Sequence, residues 1–196
     1  MPLFGAIGGT TTFMSNVFIP RGMLWAALLA WVASVSAGMA VLFRYEATPG
    51  INAVAPGTWP VASRIARSGD RYSLVLFVHP DCPCTRASIA ELAILMARLQ
   101  GRLSALVQFR KPGARLLEIQ RSALWESASA IPGVKAGFDH DGRDVEQFDA
   151  SVSGQALLYD RAGRLMFSGG ITAARGHEGD NEGVEAIVRH VNGKQA

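Results

Sequence analysis

From Met23 to Phe43 the chain runs for 21 residues without a charge, closed by Arg21 and Arg44, and only Ser34, Ser36 and Gly38 fall outside the hydrophobic set. As a helix this run is about 32 Å long, a match for a bilayer core of about 30 Å. A helix with no polar face needs apolar surroundings on every side, which a bilayer provides. The segment therefore reads as a transmembrane anchor. A cleaved secretory signal would use Arg21 as its charged end and Val35-Ser36-Ala37 as its small-residue site, but apolar regions of signals usually stop at about 7–15 residues and this one continues to Phe43. A buried core helix would show a polar side. Residues 1–22 form a short leader that reads as unstructured around Gly8-Gly9-Thr10-Thr11-Thr12, with Met14 or Met23 as alternative starts.

With that run set aside, about 45% of the remaining residues are hydrophobic, a normal value for a water-soluble domain. The formal net charge of +3 arises from 19 Lys and Arg against 16 Asp and Glu, a slight excess rather than a basic stripe, so no nucleic-acid partner is expected. Residues 44–66 contain Pro49-Gly50, Pro56-Gly57 and Pro60 without a sustained period. They read as a linker, leaving 67–196 as the folded domain.

Within that domain, Ser73–Val78 is a continuous apolar run of strand length, suited to a sheet covered on both faces. Beyond it Ile89, Leu92, Ala93, Met96 and Leu99 recur at helical spacing up to Gly101. Ala105–Phe109 is a second strand, ended by Lys111-Pro112-Gly113; a weaker helix over 116–128 and a strand over 134–138 follow, with a turn at 139–142. Gln155–Tyr159 and Leu165–Phe167 make a hairpin around Asp160-Arg161-Ala162-Gly163. After a polar loop over 169–181, Val184, Ile187, Val188 and Val191 mark a closing helix that stops near Gly193. The strand–helix–strand start implies a parallel right-handed crossover, and the hairpin adds an antiparallel edge. The expected fold is an α/β thioredoxin-like mixed sheet with flanking helices, preceded by one transmembrane helix.

The chain has two cysteines, and only Pro83 separates them, in His79-Pro80-Asp81-Cys82-Pro83-Cys84. They fall where the first strand ends and the first domain helix begins, the crevice side on which open α/β sheets place their chemistry. A helix start offers unpaired N–H groups and positive partial charge, which favour a thiolate. Pro83 suits the first helical position, where its missing N–H costs nothing. On that register Cys82 is the cap and the nucleophile, Cys84 the resolving partner, and the ring they close is smaller than that of a Cys-X-X-Cys pair, hence strained and readily reduced. The bland alternative is two small buried apolar residues at a helix start.

A metal reading competes with the redox one. His79, Cys82 and Cys84 are three soft or borderline ligands within six residues, and His177 is a possible fourth, a set suited to copper or zinc. Otherwise no cofactor is expected. His177 also reads as a solvated loop residue and His79 as a locally bonded strand-end side chain, while His140 and His190 carry no assignment.

Three blocks resemble the RedB-type membrane-anchored bacterial proteins of the thioredoxin-like superfamily: Val-His-Pro-Asp-Cys-Pro-Cys-Thr-Arg-Ala-Ser at 78–88, Ala-Ile-Pro-Gly-Val at 130–134, and Leu-Tyr-Asp-Arg-Ala-Gly-Arg-Leu-Met-Phe-Ser-Gly-Gly-Ile-Thr-Ala-Ala-Arg-Gly-His-Glu-Gly-Asp-Asn at 158–181. The likeness extends over about two thirds of the chain and implies a thioredoxin-like domain on an inner-membrane tether. A looser resemblance to TlpA-like thiol-disulfide oxidoreductases has departures. Those have Cys-X-X-Cys, and a cis proline where this chain has Ser153-Gly154-Gln155; thioredoxin itself has a buried acid where this chain has Leu76. The departures leave room for a carrier similar to the Sco-type copper chaperones.

The expectation is thus a tethered thiol-disulfide oxidoreductase, with Arg175 to His177 closing over Cys82 and Cys84. Its partners would be protein thiols or disulfides in the bacterial periplasm. Lys and Arg near the two ends of the apolar run are nearly balanced, so the periplasmic placement of the domain follows from the cysteine chemistry rather than from charge.

Overall fold

The computed structural model describes residues 20–47, 54–110, 115–150 and 152–193. The leader 1–19, Pro49-Gly50 and Lys111-Pro112-Gly113 lie outside them. The chain divides into two compact units, Met1–Tyr45 and Glu46–Ala196. Helix α1 (Arg21–Ala47) extends the expected span at both ends. Its segment Arg21–Tyr45 is long and apolar enough to cross a membrane.

The second unit holds β1 (Tyr72–Val78), α2 (Cys84–Arg98), β2 (Leu103–Arg110), α3 (Leu116–Gln120), α4 (Ala123–Ala130), β3 (Val134–Asp139), α5 (Arg143–Gln147), β4 (Gln155–Tyr159), β5 (Leu165–Gly170) and α6 (Glu182–Val191). The strands form one sheet in the order β3-β2-β1-β4-β5. β1 runs parallel to β2, and β2 to β3, whereas β4 is antiparallel to both β1 and β5. The expected mixed sheet is therefore present, and its middle strand β1 carries the chain to the cysteines.

Alternation along β1 sorts two cores. Leu74, Leu76 and Val78 point to one face, where they meet Ile89, Leu92 and Leu95 of α2, Ala128 of α4, and Val184, Ile187 and Val191 of α6. Val75 and Phe77 point to the other, against Phe148, Ala150, Leu157 and Tyr159. This double burial explains the unbroken apolar run.

Part of the second face is covered by residues expected to be linker. Ala55 is buried there, with Trp59 and Ile65 packed around it. The Trp59 ring meets Phe148 and Tyr159 edge-on, each at 5.1 Å between centroids. Trp59 N–H donates to Gly163 O at 2.7 Å, Leu165 N–H to Gly57 O at 2.9 Å, and the Tyr159 hydroxyl to Pro56 O at 3.1 Å. The folded domain thus starts by Ala55 and not at Arg67. The proline-rich composition that reads as a spacer here supplies a strap without an internal period, held by one tryptophan and backbone bonds.

The weak helix over 116–128 is two. Ser122 adopts an extended conformation (φ −80°, ψ 152°), and its hydroxyl oxygen accepts Trp125 N–H at 3.3 Å, so a serine cap starts α4 anew. α5 was not expected: five residues are too few to show a period, and Asp139 starts it by accepting Asp144 N–H and Val145 N–H.

Candidate active site

β1 ends at Val78, and α2 begins at Cys84 after five intervening residues. The intervening turn is knotted on one carbonyl. His79 O accepts Cys82 N–H at 3.0 Å and the Thr85 hydroxyl at 2.7 Å, and Thr85 N–H returns to Cys82 O at 3.0 Å. Thr85 is fully buried, so this bond is shielded from water. Pro83, at φ −60° and ψ −24°, is already helical, and α2 carries no side-chain cap. The helix start is therefore one residue later than expected. Pro83 takes the cap position, Cys84 is the first helical residue, and Cys82 lies just outside. Cys82 thus lies one residue farther from the unpaired N–H groups of the first turn than expected.

Cys82 and Cys84 are joined by a disulfide with an S–S distance of 2.11 Å and a Cα–Cα separation of 5.3 Å. Both residues are partly exposed, and Pro83 between them is exposed. The disulfide therefore lies at the surface of the domain and not in its core.

Ser153, in the turn before β4, contacts the inner sulfur. Its Oγ accepts His79 N–H at 2.9 Å and lies 3.8 Å from Cys84 Sγ, with its carbonyl oxygen 3.9 Å from the same sulfur. A disulfide sulfur carries no proton, so in this contact the Ser153 hydroxyl is the donor group and Cys84 Sγ a weak acceptor. No cis peptide bond occurs among the described residues, Ser153-Gly154-Gln155 included. A serine hydroxyl thus stands at the sulfur where the resembling proteins carry proline. Leu76 is completely buried in the apolar core.

The expected supporting residues have distinct placements. His79 accepts Asp81 N–H on Nδ1 at 3.3 Å, which puts the proton of its neutral ring on Nε2. Arg175 and His177 are exposed on the loop after β5. The His177 Nδ1 turns to Arg175 O at 2.9 Å, and its N–H bonds Ala174 O. The backbone of that loop comes to the cysteines: a Cβ added at Gly176 would stand 3.9 Å from Pro83 O. Among the described residues no three or more His, Cys, Asp or Glu form a group able to hold a metal ion. Nδ1 of His79 is engaged by Asp81 N–H, and the sulfurs of Cys82 and Cys84 are bonded to each other.

Three further residues, with no role in the sequence-based expectation, shape the site. Ser153 comes from 69 residues beyond Cys84. Arg115, immediately before α3, reaches Asp81 beside Cys82: its Nη1 lies 3.1 and 3.2 Å from the two carboxylate oxygens. The third is Glu91 of α2, buried at 3% exposure, whose carboxylate accepts Gly179 N–H at 2.6 Å and the Asn181 side-chain amide at 3.4 Å. Asn181 in turn caps α6 by accepting Val184 N–H at 2.8 Å. A glutamate at a core-facing helical position was the available signal for a buried polar anchor.

Glu91 pins the far end of the loop that passes the cysteines. In Glu91→Gln one carboxylate oxygen becomes an NH₂ group facing another donor. The variant is expected to lose about 1–3 kcal/mol of stability in urea unfolding and to exchange the Gly179 amide proton faster, while the core of β1 stays protected. Unchanged exchange at Gly179 would refute the anchor role.

No family model and no curated protein matches the chain. Solved structures do. It is similar to a hypothetical protein from Sinorhizobium meliloti, at 19% identity and a TM-score of 0.59, over 76% of this chain and 90% of that one. An uncharacterized conserved protein from Geobacillus kaustophilus matches at 16% identity and a TM-score of 0.54, over 75% and 84%. A thiol-disulfide oxidoreductase from Bacteroides fragilis matches at 14% and 0.47, over 66% and 86%. Sheet order, crossovers and a cysteine pair at the β1–α2 junction together make this domain thioredoxin-like.

Proposed function

We propose that this chain is a RedB-type, membrane-tethered thiol-disulfide oxidoreductase that acts on protein thiols or disulfides in the bacterial periplasm. The observation that carries the reading is the partly exposed Cys82–Cys84 bond at an uncapped helix start. α1 supports the tether by its length and apolarity. Oxidising compartments are where an exposed protein disulfide persists, which supports the periplasmic side.

In the reducing direction the Cys82 thiolate attacks one sulfur of a partner disulfide. A new S–S bond forms, and the partner's other sulfur leaves as thiolate and takes a proton. The Cys84 thiolate then attacks Cys82 Sγ, closing the internal disulfide and releasing the second partner thiol. Two electrons and two protons pass to the partner, and the chain ends oxidised; the reverse sequence oxidises a partner dithiol. Cys82 attacks because it lies outside the helix, whereas Cys84 is backed by Ser153. Pro83 fixes the backbone between the sulfurs, and Arg175 and His177 border the partner's approach.

The test is a thiol titration of the full-length protein in detergent. Two thiols are expected after reduction and none after mild reoxidation, with no dimer formed. Failure to form any reversible internal disulfide would refute the redox role.

A further inference from the structure

The turn that holds Cys82 is tied sideways to α3 through charge. Arg115 presents Nη1 to both oxygens of Asp81, at 3.1 and 3.2 Å, while its Nε and Nη2 bond the two oxygens of Glu118 at 3.0 and 2.8 Å. The guanidinium is thus gripped along one edge by a residue of α3, which aims the remaining nitrogen at Asp81, 34 positions back in the chain. The planar fork makes such a double engagement possible. Its hydrogen bonds to Glu118 first, then to Asp81, hold the Arg115 charge more firmly than usual, and Arg115 keeps Glu118 ionised below its ordinary range.

Asp81 is the residue next to Cys82. An unpaired carboxylate there opposes formation of a thiolate, and a cation bonded to it removes the opposition. The other charged or titratable groups on elements around the turn are His79 at the end of β1, Arg86 in the first turn of α2, Arg110 at the end of β2, and Arg175 and His177 on the loop after β5. Asp81 is the acid among them adjacent in sequence to the reactive cysteine, and Arg115 is the cation bonded to it.

We propose that Arg115 is a positioning residue for Cys82: by holding and neutralising the Asp81 carboxylate, it lets α3 set the reactivity of the cysteine pair. The inference rests on the redox reading above and adds a third element, outside the strand–turn–helix motif, to the site. Ion pairs as exposed as this one are worth little to stability, so its consequence is sought at the sulfur.

The experiment measures iodoacetamide alkylation of the reduced full-length protein in detergent, with the Cys82 adduct located by mass spectrometry. Rates are followed from mildly acidic to alkaline pH, at low and at molar salt. In a near-aqueous dielectric, releasing a carboxylate charge on the residue next to the sulfur is expected to slow alkylation at neutral pH roughly threefold in Arg115→Ala. The pH profile should shift upward to match. The slowing should vanish at molar salt, should be partly relieved by Arg115→Lys, which keeps the charge but not the fork that Glu118 grips, and should be absent when Asp81→Asn is already in place.

Equal rates in the wild type and Arg115→Ala would overturn the proposal. So would a slowing that persists in the Asp81→Asn background or at molar salt, or a lysine variant as slow as the alanine one. Alkylation reads the reduced thiol whether or not a disulfide ever exchanges with a partner, so failure here is distinguishable from failure of the redox role.

Discussion

Cys84→Ser is expected to keep the fold, lose turnover and accumulate a mixed disulfide between Cys82 and its partner. Serine is close in volume to cysteine, and the position is only partly buried. Closing so small a ring removes little chain entropy, roughly 1.5 kcal/mol on the loop-closure estimate, so the domain survives its loss. What disappears is the intramolecular thiolate. A well-oriented internal group acts at effective concentrations far above those of free thiols, and losing it is expected to slow resolution about 10³-fold or more. Non-reducing electrophoresis of membranes carrying Cys84→Ser should show partner adducts that collapse on reduction, and Cys82→Ser should show none. The reverse pattern, adducts on Cys82→Ser alone, would exchange the roles of the two sulfurs.

That asymmetry is partly legible in the sequence. A buried strand running into Cys-Pro-Cys, followed by a helix of clear period, places the sulfurs at a helix start, and adjacency along the chain does the rest. What adjacency cannot show is the surroundings contributed from afar. Ser153 reaches Cys84 across 69 positions and Arg115 reaches Asp81 across 34, and a serine or an arginine in a loop carries no periodic signal. The loop bearing Arg175 and His177 is expected near the cysteines from topology, and it does pass them: a Cβ added at Gly176 would stand 3.9 Å from Pro83 O.

The fold shows the same division. β1, α2, the hairpin and α6 are long enough to show their periods, and all four are present where expected. α5 is too short for that, and the break at Ser122 depends on a single cap. Residues 55–65 mislead because Pro56, Gly57 and Pro60 break any period, while their attachment comes from Trp59, Ala55 and a few backbone bonds.

One glycine couples this architecture to the site. Gly183 lies in the first turn of α6, and a Cβ built there would stand 2.0 Å from Gly170 O and 3.1 Å from its carbonyl carbon. Both are backbone atoms, so no rotamer relieves the clash. Gly183→Ala gains about 1 kcal/mol of helix propensity and pays overpacking of about 1–3 kcal/mol or more, since β5 and α6 must separate. The clash wins, with a net loss expected near 2 kcal/mol and a fall in melting temperature of roughly 4–8 °C for a domain of this size. Gly170 and Gly183 are also the two feet of the loop that passes Pro83 and is tied to Glu91. Prying them apart should therefore speed amide exchange at Gly179 and alter partner exchange at Cys82 even below the melting transition. Thermal unfolding indistinguishable from the wild type would mean that α6 approaches β5 less closely than the backbone contact requires.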